Sequence, residues 1–366
     1  MLKRERQARV ALSSLKCLFL SLILLVAVFP NRAPAQSPAA GDSGPPTPRA
    51  YKRFFEYPVL YATNRIPQSV AGPRESYGGR ADKVSYGSAL ITVPAAHKAG
   101  ALEMPPISVL EWRLKLPRRP RNKETQFGIE AVKPLPQDEW LRATEKLGGA
   151  GDSLLIFVPG RSSFSDSALR AAQIAFDLRQ KNVLLFSWPA TGGGTSYIYD
   201  RESASSSERY FSEFLDLASK TSFPRINILA AGMAAPLVMS VIRDNASIMS
   251  KLDNLMLVAP DMDSDVASNL ISRISRNVHV TVYSNKEDRD LKLANAFWGM
   301  PRFGAAAPEQ ISAGGFDFVV VEPAGDVGLR ILRDMHGLLT SGQAPPQRGL
   351  KRVPVNGALG AYWLLE

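Results

Sequence analysis

The sequence predicts an α/β domain built on a mostly parallel, doubly wound sheet with antiparallel strands at its N-terminal side. Three observations carry that expectation. From Gly151 onward, short and wholly apolar runs alternate with segments of helical periodicity, the pattern of strands buried on both faces and joined by crossover helices. Before residue 151 the runs mix polar and apolar residues and are broken by Gly, Pro and charge, as in antiparallel strands with one wet face. The chain has 366 residues, 45% of them hydrophobic, which allows a sizeable core and excludes disorder throughout.

Residues 1–35 read as an export signal. Lys3, Arg4, Arg6, Arg9, Lys16 and Arg32, against Glu5, carry half of the net charge of +10. An apolar run follows from Cys17 to Phe29, and Ala33-Pro34-Ala35 forms a small-residue cleavage site before Gln36. That run would extend about 20 Å as a helix, short of the roughly 30 Å hydrocarbon core, which favours cleavage over spanning. An uncleaved amino-terminal anchor is the alternative, and the only membrane contact expected. Either way the domain is exported, periplasmic or extracellular, or held at the inner membrane. The charge left after cleavage is too small and dispersed for nucleic-acid binding. Cys17, the only cysteine, lies in the signal, so the mature chain is expected to have neither disulfide nor thiol nucleophile.

Residues 36–50 have a linker composition of Pro, Gly, Ser and Ala. The domain is expected over residues 51–342. Its first part, 51–150, offers strand-like runs at Tyr57–Arg65, Val84–Pro94, Ile107–Pro117 and Phe127–Leu135. Its second part, 151–342, carries the apolar runs Leu154–Val158, Val183–Phe186, Ile226–Ala230, Leu255–Ala259, Val280–Tyr283 and Phe316–Val321. Between them, Ala168, Ala171, Ala172 and Ala175, and then Phe211, Phe214, Leu215 and Ala218, recur at helical spacing. Residues 343–366, with a Pro pair and the segment KRVPVNG, read as a surface extension of low order.

Reactive groups in doubly wound sheets gather beyond the carboxyl ends of the strands. Four of those ends here are Pro159-Gly160-Arg161-Ser162-Ser163-Phe164, Ala230-Ala231-Gly232-Met233-Ala234-Ala235, Ser284-Asn285-Lys286-Glu287-Asp288-Arg289 and Glu322-Pro323-Ala324-Gly325-Asp326. These ends sit among the segments PVLYATNR, SYGSALITVP, LLIFVPG, SSFSDSALRAAQIAFDL, LLFSWPATGGGTSYIYDRESA, LMLVAPDMDSDV and YSNKEDRDLKLA. In these segments, from about Tyr57 to about Leu339, the chain resembles the bacterial α/β hydrolases grouped as a domain of unknown function. The resemblance implies the α/β-hydrolase fold and a serine-hydrolase ancestry. In that family the first strand end reads His-Gly-Tyr, the elbow reads His-Ser-Met-Gly-Asn, an Asp follows the later Ser-Asn segment, and Gly-His ends the last strand.

Carried over by position, the elbow serine falls on Gly232, the residue before it on Ala231 and the small residue after it on Ala234. The histidine position falls on Asp326 and the first-strand histidine on Pro159, while the acid persists as Asp288. Triad chemistry needs a nucleophile, a base and an orienting acid in contact. Glycine has no side-chain oxygen, so no acyl-enzyme can form at that position. The turn itself is kept: Ala230, Gly232 and Ala234 are small, and Pro236 suits the first turn of a helix.

The other candidate residues also have plainer roles. His97 falls in a turn, His279 opens a strand and His336 lies on the last helix, none at a strand end where a base is needed. Ser162 and Ser163 lie near the old oxyanion loop and are candidates for a relocated nucleophile, without a base in view. Asp288 and Asp326 should approach each other, making a cation or basic-ligand site unless Asp326 faces solvent or pairs with Arg289 or Arg330. Trp188, Tyr197, Tyr199 and Arg201 either line an aromatic, cationic cleft for an acidic or sugar-like ligand or only pack their loop. The candidate cleft is Pro159, Gly160, Arg161, Ser162, Ser163, Trp188, Tyr197, Arg201 and Met233. The glycines at 192–194 lack the Gly-Lys-Ser/Thr of a phosphate loop, and three scattered histidines give no metal-ligand spacing, so neither cofactor nor metal is expected.

The leading expectation is an exported hydrolase-fold protein without hydrolytic competence, binding a small molecule or a protein or serving the cell envelope. The alternatives are an active serine-type hydrolase of esters or related acyl substrates with a non-standard nucleophile, and a membrane-anchored structural envelope protein.

Overall fold

Along the strand β4 (Ser153–Val158), Leu154, Ile156 and Val158 enter one hydrophobic core, while Leu155 and Phe157 enter a second. The period of two in side-chain direction therefore places a core on each face of the sheet, which is why this run is apolar throughout. The computed structural model describes residues 53–68, 76–104, 121–148, 151–192, 196–274, 277–285, 287–300, 302–312, 314–322 and 327–366. The expected signal and linker, and the run Ile107–Pro117, lie outside the described residues. Tyr51–Glu366 form one compact unit.

The other strands are β1 (Phe54–Pro67), β2 (Tyr77–Pro94), β3 (Gly128–Leu135), β5 (Val183–Ser187), β6 (Arg225–Ala231), β7 (Leu252–Val258), β8 (His279–Ser284), β9 (Asp317–Val321), β10 (Lys351–Pro354) and β11 (Ala361–Leu365). They form one sheet in the order β10-β11-β9-β8-β7-β6-β4-β5-β1-β2-β3. Neighbours from β11 to β1 are parallel, and β2, β3 and β10 are added antiparallel. All six apolar runs expected as core strands occupy this parallel region. β1, expected as a purely antiparallel element, instead pairs parallel with β5 (Leu60 with Leu184) as well as antiparallel with β2.

The helices are α1 (Gln137–Glu145), α2 (Phe164–Asp177), α3 (Tyr197–Ser206), α4 (Glu208–Ser219), α5 (Ala234–Asp244), α6 (Ala246–Met249), α7 (Ser264–Ser272), α8 (Arg289–Trp298) and α9 (Val327–Ser341). Phe211 and Phe214 of α4 and Leu237 and Val238 of α5 cover one face. Leu169 and Ala172 of α2 and Ile331 and Met335 of α9 cover the other. The alanines of α2 allow close approach to the sheet, and Ser163 caps the helix by accepting from the Asp166 N–H at 3.1 Å.

Polar residues at the end of β1 are buried because each finds a distant partner. Thr63 donates to the Ser187 carbonyl (2.5 Å), and Asn64 donates to the Ser207 hydroxyl (2.9 Å). Arg65 donates to Ser187 Oγ (3.1 Å), the Ala190 carbonyl (2.9 Å) and the Ser162 carbonyl (2.7 Å). Burial pulls its guanidinium down to about 10, with Asp200 acting in opposition, so it stays charged at neutral pH. This one side chain fixes the loops leaving β4 and β5 relative to each other.

The expectation of a loose tail from Gln343 is corrected. β11 pairs parallel with β9 (Trp363 with Val319), and β10 pairs with β11. Arg348, with a side chain 1% exposed, forms an ion pair with Asp334 (3.2 Å), and Trp363 Nε1 donates to Asp317 (3.0 Å). Asp317 also pairs with His279 (2.9 Å), and Tyr283 donates to Asp334 (2.6 Å). A buried charged network thus fastens the C-terminal strands to the core. Among the described residues no helix is long and apolar enough to cross a membrane.

Candidate functional site

The chain leaves β6 at Ala231, turns through Gly232 and Met233, and enters α5 at Ala234. Gly232 has a φ of +51°, in the left-handed region that L side chains enter only at a cost. Its N–H donates to the Val258 carbonyl (2.9 Å), and its carbonyl accepts from Asp261 N–H (3.0 Å) and Ala235 N–H (3.2 Å). The end of β7 therefore holds the bend from both sides. A Cβ added at Gly232 would meet only Gly160 Cα within 4 Å, at 3.9 Å, so the bend faces open space. Backbone conformation, not crowding, is what favours glycine here.

The loop after β4 forms the opposite wall. Gly160 approaches the Ala231 carbonyl so closely that a Cβ there would lie 3.4 Å from its oxygen. The Pro159 carbonyl accepts from Trp188 Nε1 (2.7 Å), and Ser162 Oγ shares a hydrogen bond with Ser167 Oγ (2.8 Å). Arg161, its side chain 4% exposed, donates to the fully buried Asp200 (3.0 Å), faces Asp290 at 3.8 Å and lies over the Tyr197 ring.

Asp288 caps α8, accepting from Leu291 N–H at 3.0 Å. Burial raises its carboxyl above the usual range. The Leu291 hydrogen bond opposes this, and the nearby charges of Asp290 and Asp261 reinforce it. Among the described residues no cation lies within ion-pair distance of it. Asp326, expected to meet it, lies outside the described residues. The neighbouring carboxylate is Asp261, which strand-end reading passed over. It is buried, accepts from Arg302 Nε (2.7 Å) and accepts from the Tyr197 hydroxyl (2.8 Å). Its position directly after the β7 run, in LMLVAPD, was the available signal.

These groups border a cavity of about 550 Å³, within the size range of small-molecule sites. It lies between α2 and α9, over the ends of β4, β6 and β7. Phe157, Leu229 and Val258 rise from the strands, and Gly328, Ile331, Leu332 and Met335 share the inward face of α9. Of the candidate cleft, Pro159, Gly160, Arg161, Ser162 and Met233 line this cavity, together with Gly232 and Asp288. Ser163, Trp188, Tyr197 and Arg201 do not line it, and of the two roles open to the aromatic residues they take the packing one. Ser163 is committed to the α2 cap, and Trp188 is buried behind Pro159. Tyr197 packs on Phe297, and Arg201 stacks on Trp298 at 4.9 Å. Tyr199 is likewise outside, packed beneath Arg80.

His97 proves to be a buried hub. Its Nδ1 meets Glu103 and its Nε2 meets Asp177, both at 2.8 Å. Burial pulls the imidazole down, but the two carboxylates outweigh it and the net shift is upward. Asp177 also accepts from Gly100 N–H (2.8 Å), so this cluster fastens the loop carrying Gly100 and Leu102, both part of the cavity wall, to the end of α2. His279 pairs with Asp317, and His336 meets the Leu178 carbonyl at 3.1 Å. Among the described residues no three His, Cys, Asp or Glu side chains converge as metal ligands.

A family described as alpha/beta hydrolase of unknown function (DUF900) matches residues 137–321, from the first residue of α1 to the last of β9 and just over half of the chain. A solved structure of a candidate cell surface hydrolase from Lactobacillus plantarum WCFS1 is similar at 13% identity and a TM-score of 0.34, covering 55% of this chain and 96% of that one. No curated protein matches the chain in sequence. With the elbow, the strand order and the crossover helices in place, the chain belongs to the alpha/beta hydrolases of unknown function and has the α/β-hydrolase fold.

Proposed function

We propose that this protein is an exported member of its family that no longer forms an acyl-enzyme and uses the cavity at the sheet edge to bind a ligand. The observation that carries the reading is Gly232. It occupies the strand-to-helix bend where this architecture presents its nucleophile, and it faces open cavity with no oxygen to offer. The one serine among the described lining residues, Ser162, hydrogen bonds Ser167 and no imidazole among the described residues. His97 has both ring nitrogens engaged by carboxylates.

The test is covalent labelling of the purified protein with a fluorophosphonate probe, read by intact mass. No adduct is expected; an adduct on any serine overturns the reading in favour of an active serine-type hydrolase. For the export half of the proposal, N-terminal sequencing of the protein recovered from the cell envelope is expected to begin at Gln36. A chain beginning at Met1 would make it an anchored protein instead.

A further inference from the structure

Resting on the reading that the cavity binds instead of catalysing, we infer that its ligand is an amphiphile with a cationic, amine-type head and an aliphatic body. The body follows from the walls. Phe157 and Leu229 below and Ile331, Leu332 and Met335 on one face of α9 present continuous hydrocarbon, and a ligand chain laid there leaves water without losing a hydrogen bond.

The head follows from the charge balance. Among the described lining residues, four carboxylates (Asp166, Asp261, Asp288 and Asp290) face two guanidiniums (Arg161 and Arg170). Asp261 is already neutralised by Arg302, and Asp290 lies against Arg161. Arg170 is attracted by Asp166 and Asp177 and donates to Gln173 at 2.8 Å. Asp288 is left as the lining carboxylate met by backbone N–H groups alone, those of Leu291 and Asp290, and by no cation among the described residues. An ammonium group there gains a charge-assisted hydrogen bond in a partly dehydrated site, whereas a carboxylate head would meet net negative charge.

The experiment compares decylamine, decanol and decanoate at submicellar concentration, by calorimetry on the intact protein at neutral pH. The amine is then protonated like a lysine side chain. Decylamine is expected to bind about tenfold tighter than either of the others, the gain typical of a hydrogen bond to a charged group. Asp288→Asn keeps an acceptor for the α8 cap, so it should fold normally while erasing the amine preference. Leu332→Trp, which fills the cavity, should weaken all three ligands. Equal binding of the three, tighter decanoate, no binding, persistence of the preference in Asp288→Asn, or indifference to Leu332→Trp each overturns the inference. Fluorophosphonate labelling reads the loss of catalysis separately, so an unlabelled protein that ignores decylamine sinks only the ligand class.

Discussion

Replacing Gly232 with serine restores the missing oxygen and tests the physical account of the bend. A non-glycine residue at a φ of +51° costs about 1–2 kcal/mol. Removing glycine's freedom from the unfolded chain returns about 0.4–1 kcal/mol. The new Cβ meets only Gly160 Cα, at 3.9 Å, so no steric penalty is added. The net destabilisation should therefore be about 0–1.6 kcal/mol, seen as a fall in Tm of at most about 4 °C in a domain of this size. Urea denaturation monitored by circular dichroism measures it. A loss above about 4 kcal/mol would show that the bend has no room for a side chain, and a gain in stability would show that it is not strained. Hydrolysis of a chromogenic ester should stay near background in the same variant, because an isolated serine hydroxyl without a base is a poor nucleophile. Restored turnover would mean that a base reaches the bend after all.

Arg348→Ala should cost about 3–5 kcal/mol in urea denaturation, since it strands the buried Asp334 carboxylate; Arg348→Met together with Asp334→Leu should cost much less. Gly304→Ala should destabilise by about 1–3 kcal/mol, because its Cβ would collide with the backbone of Ala259 and Pro260, and a neutral effect would refute the packing of that turn. For His97, whose pKa is raised in the folded state, the stability it contributes is fully present below the unfolded value of 6.5. It is lost as pH rises through the folded value. The stability difference between the protein and His97→Asn should accordingly be largest in mild acid and shrink toward alkaline pH, and a difference that grows with pH would refute the double-carboxylate clamp of Glu103 and Asp177.

What could be read from the sequence follows from where each constraint is local. Strands such as Leu154–Val158 and Ile226–Ala230 must be apolar on both faces, so their composition alone reveals them. The bend at Gly232 was located by the family resemblance, with the small residues around it agreeing with a sharp strand-to-helix turn. β1 hid its parallel pairing because Thr63, Asn64 and Arg65 look like surface residues until their partners at Ser187, Ser207 and Ser162 are known. The C-terminal strands were hidden for a related reason. Their order depends on Arg348 and Trp363 reaching Asp334 and Asp317, and no local pattern encodes such a reach. His97 read as a turn residue because one of its two carboxylates, Asp177, is 80 positions away. Trp188 and Tyr197 lie at the expected edge of the sheet but one layer behind the cavity wall, since aromatic residues near a site also serve to support it.

The two ends of the cavity bear on one another. A residue with a side chain at the positive φ of the bend would be strained, as residues at functional sites commonly are. Glycine at this bend carries no such strain. Among the described residues no cation pairs with the half-buried Asp288, and burial of its carboxyl raises the pKa, a penalty in the empty protein. If the cavity served no ligand, substitutions neutralising Asp288 would be stabilising and free of consequence. A cation bound at the cavity wall, beside the apolar side chains on α9, would offset that penalty.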